Sequence, residues 1–600
     1  MCGICGSAST LGGFPKNLEN AVQLLAYRGP DDEGVFLDNQ ISLGHTRLAI
    51  QDGANAHQPM VSNSGNNIIV FNGEIYNHFE LRMLVPDHPW KTRSDTETVL
   101  ELFEYLGESV FSEFVGMYAF GIWNTETNKL ILSRDINGEK PLFYSVNEKE
   151  FIFSSEARVV ASVIGISQSI ESKRFPHFLK YGYFNPKESF INSVVPVNPG
   201  NVVSWKNGQV LVESKMKNLK PTKNSTKNLA SIGEMMETAV KRTLLADEDV
   251  GVMLSGGIDS SIIAALASKF CPGLPTFTVA LTKNSQDAKF AKLVADNIKS
   301  THYEVTIDPR EIAGEIERVI TSLPQPLADS AVIPTNLLSQ FAKSKVKVLL
   351  SGDGADEVFA GYGYYDKYRN LQTTRKIESF AKEGLFILLK RSRYKKINNL
   401  RDEFKKSKVT SGRSSYQESW NEDLAAFTDS ELGRMLGVQN FKENKGELDY
   451  CGSKPDFWDV MRADREYYLT GDILQKSDLG GMLASVEIRA PYLDLNLNRY
   501  ILENISDPKS LSKKILYDSF PGLIPDIIYK RKKQGFGAPL DEWFAIESVD
   551  KLIDSTLRNQ KAKIYKHFDY DKTERYVNSS NLKKWNFFVL ALWLDKNDIT

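Results

Sequence analysis

The spacing of apolar positions changes about a third of the way along the chain. The N-terminal third holds short runs that alternate or are wholly apolar, such as NNIIVFNGEIYN, MYAFGIWN, KLILSRD and FIFSSE, with polar turns between them. That is the pattern of strands. Two stretches with helical spacing interrupt it, one around residues 18–25 and one in SDTETVLELFEYLG. Together they predict a layered α+β domain of packed antiparallel sheets. Around residues 214–231 the text becomes SKMKNLKPTKNSTKNLAS, polar and basic, which reads as a linker. Beyond it VGVML, IDSSIIAALASKF, TFTVAL, DAKFAKLVADNI, HYEVTI, REIAGEIERVITSL and VKVLLSG alternate strand with helix. Such alternation predicts an α/β domain with a parallel sheet covered on both faces. From about Gln372 the pattern is mainly helical, and basic pieces such as KRSRYKK read as solvated helix faces. The division expected is therefore 2–213, a linker at 214–231, and 232–600.

Length and charge agree with this division. Six hundred residues exceed one hydrophobic core. Acidic and basic residues nearly cancel, 76 against 74, so neither nucleic acid nor a membrane surface is expected as partner. The start, MCGICGSAST, lacks the form of a secretory signal, and no apolar run is of membrane-spanning length. Four cysteines in so long a chain argue against a disulfide framework, and the cytoplasm is the compartment expected.

Cys2 follows the initiator Met and precedes Gly3. Removal of Met1 would leave an α-amine, titrating near about 8, beside a thiol titrating near about 8.5. One residue then supplies both nucleophile and base. A cysteine in that place is weak evidence by itself. Its company is specific: YRGPDDEG at 27–34, HTRLAIQD at 45–52, FNGEIYN at 71–77, RSDTETV at 93–99 and RDINGEKPLFY at 134–144. In this order behind Cys2 they closely resemble the class II glutamine amidotransferases, which are N-terminal-nucleophile hydrolases with an αββα sandwich. The resemblance implies glutamine as substrate. It places Arg47 on the α-carboxylate, within the run Arg47, Leu48, Ala49, Ile50 and Gln51 that lines the site. It places Glu74 and Asp95 on the α-ammonium. The Asn72 side chain and the Gly73 N–H would hold the oxyanion as a thioester forms on Cys2 and ammonia leaves.

The second half carries Leu254, Ser255, Gly256, Gly257, Ile258, Asp259, Ser260 and Ser261 between an apolar strand and a helix. Exposed N–H groups and a helix N-terminus suit an anion. The ending is not that of a Walker A loop. The loop resembles the pyrophosphate loop of N-type ATP pyrophosphatases, which form an acyl-adenylate. A second loop, SGDGADE at 351–357, follows the strand VKVLL. In a parallel sheet both loops sit at strand carboxyl ends, where ligands bind. Asp259 and Asp356 are then placed to share Mg²⁺ with the phosphates of ATP. The resemblance, which covers essentially the whole chain, is to asparagine synthetase B. It implies that Leu254 and Val279 flank the adenine and that Ser351 and Gly352 touch the nucleotide. It gives Asp353 a part in forming the acyl-adenylate and using ammonia. It implies a lysine on the leaving pyrophosphate, Lys532 with Lys533 as competitor, and a homodimer.

The acceptor region departs from that family. The pattern Asp-Arg-x-Ser-Met reads here Asp478-Leu479-Gly480-Gly481-Met482, while Ser485–Asp494 keeps Glu487 and Arg489. The retained half implies a carboxylate acceptor paired with Arg489 and oriented by Glu487, aspartate first. The lost arginine and hydroxyl leave room for a bulkier acceptor, such as a uronic acid of bacterial surface sugars. An idle scaffold and a glutaminase with an idle second domain are the readings of other classes. Retention of both residue sets argues against them.

Overall fold

In a computed structural model the chain is described throughout, except for residues 1, 12–17, 54, 166–168, 215–228, 282–284, 367, 370–423, 440, 442–455, 532–536 and 598–600. Most of the expected linker, the KRSRYKK piece and both Lys532 and Lys533 lie outside the described residues.

The N-terminal part is two six-stranded sheets packed face to face. Its strands are β1 (Gly3–Ser9), β2 (Asp32–Asp38), β3 (Ile41–Arg47), β4 (Met60–Val61), β5 (Asn67–Ile75), β6 (Gly116–Asn124), β7 (Lys129–Arg134), β8 (Phe143–Val146), β9 (Glu150–Ser154), β10 (Val195–Pro196), β11 (Asn201–Lys206) and β12 (Gln209–Ser214). One sheet runs β10-β8-β9-β1-β3-β2 and the other β12-β11-β7-β6-β5-β4, all pairs antiparallel. Ile4, Leu43, Val70 and Trp123 from the two sheets meet in one apolar layer. The helix Leu18–Leu25 covers the first sheet and Asp95–Leu106 the second, which completes the αββα sandwich of N-terminal-nucleophile hydrolases. Ser94 caps the second helix by accepting from Glu97 N–H at 3.2 Å, so Asp95 opens it.

The second part is a five-stranded parallel sheet of β13 (Val250–Met253), β14 (Pro275–Ala280), β15 (Thr301–Thr306), β16 (Val348–Leu350) and β17 (Glu487–Arg489). Its order is β15-β14-β13-β16-β17. The order reverses between β13 and β16, so the loops after these two strands flank a switch point. Apolar residues cover both faces: Val252 packs with Ile262 and Ile263 on one, Phe277 and Leu349 with Leu338 on the other. The C-terminal part is helical, as the α/β reading expected. Within it Asp464–Ile473 winds as a π-helix between Phe457–Ala463 and Leu474–Met482. Helical turns this wide gather at functional sites.

Packing does not respect the sequence boundary. The last helix, Asn581–Lys596, buries Trp585, Phe588 and Trp593 against Phe175, Phe178 and Phe190 of the N-terminal third. The Asn586 amide donates to Leu179 O at 3.1 Å. Among the described residues no helix is long and apolar enough to cross a membrane.

Candidate active sites

β1 and β5 bring the first site together. Cys2 is buried just before β1, and its backbone nitrogen donates to Asn72 Oδ1 at 2.9 Å. That bond turns the Asn72 amide nitrogen away, where it is buried with no partner. A buried donor left open is costly unless something completes it. Gly73, at φ +152, lets β5 pass close to β6, since a Cβ there would meet Met117 O at 2.1 Å. Burial pushes the Cys2 thiol up, against the Leu48 N–H and the Arg47 guanidinium, which lower it.

Arg47 closes β3 and donates to the carbonyls of Gly53, Gln51 and Asp52 at 2.9, 3.0 and 3.1 Å. Leu48 and Ile50 pack into the core of the second part, while Ala49 N–H donates to Asp31. The Gln51 amide bonds Glu74. Burial holds the Glu74 carboxyl well above the ordinary range and raises Asp95 to about 6. Asp95 accepts the Ile75 N–H at 2.9 Å. The structure thus brings Cys2, Asn72, Gly73, Glu74 and Asp95 to one place.

The second site lies at the switch point. Ser255 N–H donates to Ser260 Oγ at 3.1 Å, and Gly257 N–H to Ser255 Oγ at 3.3 Å. Gly352 runs against this loop, its absent Cβ 3.1 Å from Ser260 N. Asp259 and Asp356 converge on one cation, the Lys513 ammonium, at 2.5 and 2.6 Å. Lys513 had no place in the sequence reading, because nothing in SLSKKIL marks it. Leu254 and Val279 are buried at the ends of β13 and β14. Asp353 accepts from Lys476 at 2.8 Å, Ser477 at 2.5 Å and Ser351 at 3.0 Å. Burial alone would raise its carboxyl, but these donors hold it below the ordinary value. Lys476 and Ser477 also went unnoticed, although they adjoin Asp478.

Packing bears on two expectations for the acceptor region. Arg489 is fully buried and engaged: it pairs with Glu487 at 2.7 Å, donates to Leu245 O and Thr243 O at 2.7 and 2.8 Å, and lies 3.4 Å from Glu74. Its Nη2 is buried without a hydrogen bond, and buried Glu487, which burial would raise, is held near 2 by nearby cations, Arg489 included. Both belong to the boundary beside Cys2. The Leu479–Gly481 departure makes no enlarged pocket. Leu479 is in the core, and Cβ atoms at Gly480 and Gly481 would meet Thr335 Cγ2 at 2.8 Å and Val486 O at 2.6 Å. The small residues allow close packing of the helix Leu474–Met482.

The sites face each other across the boundary. Arg28 donates to Cys2 O at 3.2 Å and to both Asp478 oxygens at 3.0 Å. Asp478 in turn lines a small enclosed cavity with Glu139, Lys140, Ser351, Asp353 and Ser477. Its free volume, about 10 Å³, is that of about one water-sized molecule.

The chain matches the family model for asparagine synthase over residues 231–595 and that for a glutamine amidotransferase domain over residues 1–216. It belongs to the asparagine synthase family. It is a glutamine-dependent amidotransferase of the ligase type. Asparagine synthetase [glutamine-hydrolyzing] 1 of Bacillus subtilis (strain 168) is 29% identical over 594 residues, covering 95% of this chain and 92% of that protein. Asparagine synthetase [glutamine-hydrolyzing] 3 of the same organism is 25% identical, covering 89% and 87%. The asparagine synthetase [glutamine-hydrolyzing] of Zea mays is 31% identical over 401 residues, covering 63% and 64%.

Proposed function

We propose that the protein converts aspartate to asparagine with glutamine as nitrogen donor and ATP as activator. The observation that carries this reading is the contact of Arg28 with both Cys2 O and Asp478 across the domain boundary, Asp478 sharing with Asp353 the wall of a cavity of ammonia's size.

With Met1 removed, the Cys2 amine takes the thiol proton and the sulfur attacks the glutamine side-chain amide. The Asn72 amide nitrogen and the Gly73 N–H stabilise the oxyanion. Glu74 and Asp95 hold the α-ammonium, and the α-carboxylate is bound through Arg47. Ammonia leaves, and water frees glutamate. At the second site the Ser255–Ser260 loop and the helix N-terminus after it hold the leaving pyrophosphate, with Lys513 beside it. The Asp259 and Asp356 carboxylates already converge on a cation, and with phosphate oxygens they form an oxygen donor set that fits Mg²⁺. The ion would neutralise charge developing on the phosphates. Attack of the acceptor carboxylate on ATP gives an acyl-adenylate and pyrophosphate. Ammonia then displaces AMP.

Charge favours aspartate over a uronic acid linked to a nucleotide. Lys476 stands among Asp353, Asp329 and Asp472, a net acidic surrounding that suits an acceptor bearing an ammonium. The test is pyrophosphate release with ATP, Mg²⁺ and glutamine, comparing aspartate with uronic acids. Release with a uronic acid and none with aspartate would overturn the acceptor. ADP and phosphate as products would overturn the adenylate.

A further inference from the structure

The loop Ile136–Lys140 reaches from the glutaminase part into the wall of the cavity. It is tightly built around one buried carboxylate. Asp135 accepts from the N–H groups of Asn137, Glu139 and Lys140 at 3.0, 2.9 and 3.0 Å. Gly138, at φ +70, has no Cβ to strike Pro199 Cγ at 2.8 Å. Asn137 ties the loop to the other half: its amide donates to Leu493 O at 3.0 Å and to Glu139 Oε1 at 3.3 Å, and its carbonyl accepts from Thr470 at 3.2 Å. Glu139 is thus held at the cavity by contacts from both halves, with part of its surface still open.

We propose that Glu139 is a positioning residue for nitrogen transfer: its side chain seals the passage between Cys2 and Asp353 against bulk water. The inference rests on the reading of two sites joined by ammonia. It gives a role to the firm anchoring of a loop that shares a cavity wall with Ser351 and Asp353. The cavity admits about one small molecule, so any shortening of this wall opens it.

The charges around Glu139 supply a second argument. Asp353 is paired with Lys476, Asp478 with Arg28 and Glu487 with Arg489. On its own loop Glu139 has Asp135, which repels it, and Lys140, which attracts it. Burial first, and then Asp135, lift its carboxyl to about 8, with Glu487 adding to the effect and Lys140 and Asn137 opposing it. A neutral side chain seals a buried wall without drawing in water. Once ionised, it is repelled by Asp135 and Glu487 and recruits solvent. The seal is therefore present below about pH 8 and weakens as pH rises through that value.

The experiment measures amide formed per glutamate formed, alongside synthesis from added ammonium salt. Glu139→Ala is expected to lower the ratio at least twofold near neutral pH while synthesis from ammonia stays within twofold of the parent. Glu139→Gln, which keeps the shape, is expected to hold the ratio and remove its fall above about pH 8. An unchanged ratio in Glu139→Ala, or a parent ratio that stays flat across about pH 8, overturns the proposal. Should neither nitrogen source yield amide in the parent protein, the proposed function has failed rather than the role of Glu139.

Discussion

Arg489 lies 3.4 Å from Glu74, one on β17 of the parallel sheet and the other on β5 of the sandwich. This contact ties the glutamine site to the strand whose neighbour carries the Ser351–Asp353 loop; Ser351 N–H donates to Arg489 O at 2.9 Å. Removing the guanidinium takes from Glu487 and Glu74 the cation they share. Breaking a buried pair in this way costs about 3–5 kcal/mol. Arg489→Ala is therefore expected to lower stability by that amount, measured by denaturant unfolding, and to impair glutamine hydrolysis. A variant of parental stability that loses only acceptor use would restore the acceptor role read from the sequence.

Glutamine binding should depend on pH through Asp95. An ammonium is held by the ionised carboxylate, and burial has raised this group to about 6. KM for glutamine is expected to rise as pH falls through about 6, while synthesis from ammonia does not follow it. The linkage sign separates this from unfolding. A carboxyl raised in the folded state favours the fold at low pH and loses that contribution as pH rises through about 6. Weaker binding on the acid side is thus not instability contributed by Asp95.

Cys2→Ala is expected to abolish glutamine hydrolysis and leave synthesis from ammonia, because the adenylating groups stand on other elements. Assay of glutamate release decides it. Near-parental hydrolysis would remove Cys2 from the mechanism.

Both domain types were legible in the chain, because strand alternation, helical spacing and turn residues are local. The positions of the loops at residues 255–260 and 351–356 were legible for a similar reason: each is a contiguous run that follows an apolar strand. Roles created by tertiary approach were not. Lys513 reaches Asp259 from 254 positions away, and Arg28 reaches Asp478 from 450. Neither pairing leaves a trace in spacing. Arg489 shows the same limit: a family pattern suggested a ligand contact, but its burial among Glu487, Glu74 and two carbonyls is set by tertiary approach and leaves no trace in spacing. Gly480 and Gly481 read as vacated space, but the space is filled by Thr335 and Val486.

Lys513→Met is expected to slow pyrophosphate release by about 10²–10³-fold, the usual loss when one preorganised charge on a developing anion is removed. Glutamine hydrolysis without acceptor should be unchanged. A rate within threefold of the parent would show that Lys513 only balances Asp259 and Asp356.

The acceptor prediction turns on Asp472. This side chain is on the last turn of the π-helix, about nine-tenths buried, and its Oδ1 has no hydrogen-bond partner. Burial and then Asp329 hold its carboxyl well above the ordinary range, with Lys476 opposing them. An acid so placed gains most from a cation, which under the proposed function would be the ammonium of aspartate, beside the Lys476–Asp353 pair. A charge-assisted hydrogen bond of this kind contributes about 1.5–3 kcal/mol. Asp472→Asn should then raise KM for aspartate about 10- to 150-fold, at about 1.4 kcal/mol per tenfold, with KM for ATP and for glutamine little changed. A succinate-type acceptor without the amino group is the internal control, since it should be used equally poorly by parent and variant. If Asp472→Asn alters ATP and aspartate alike, the group supports the site as a whole and does not read the ammonium. If it alters neither, the acceptor's amino group is recognised elsewhere, and the acidic surroundings of Lys476 no longer argue against an anionic sugar.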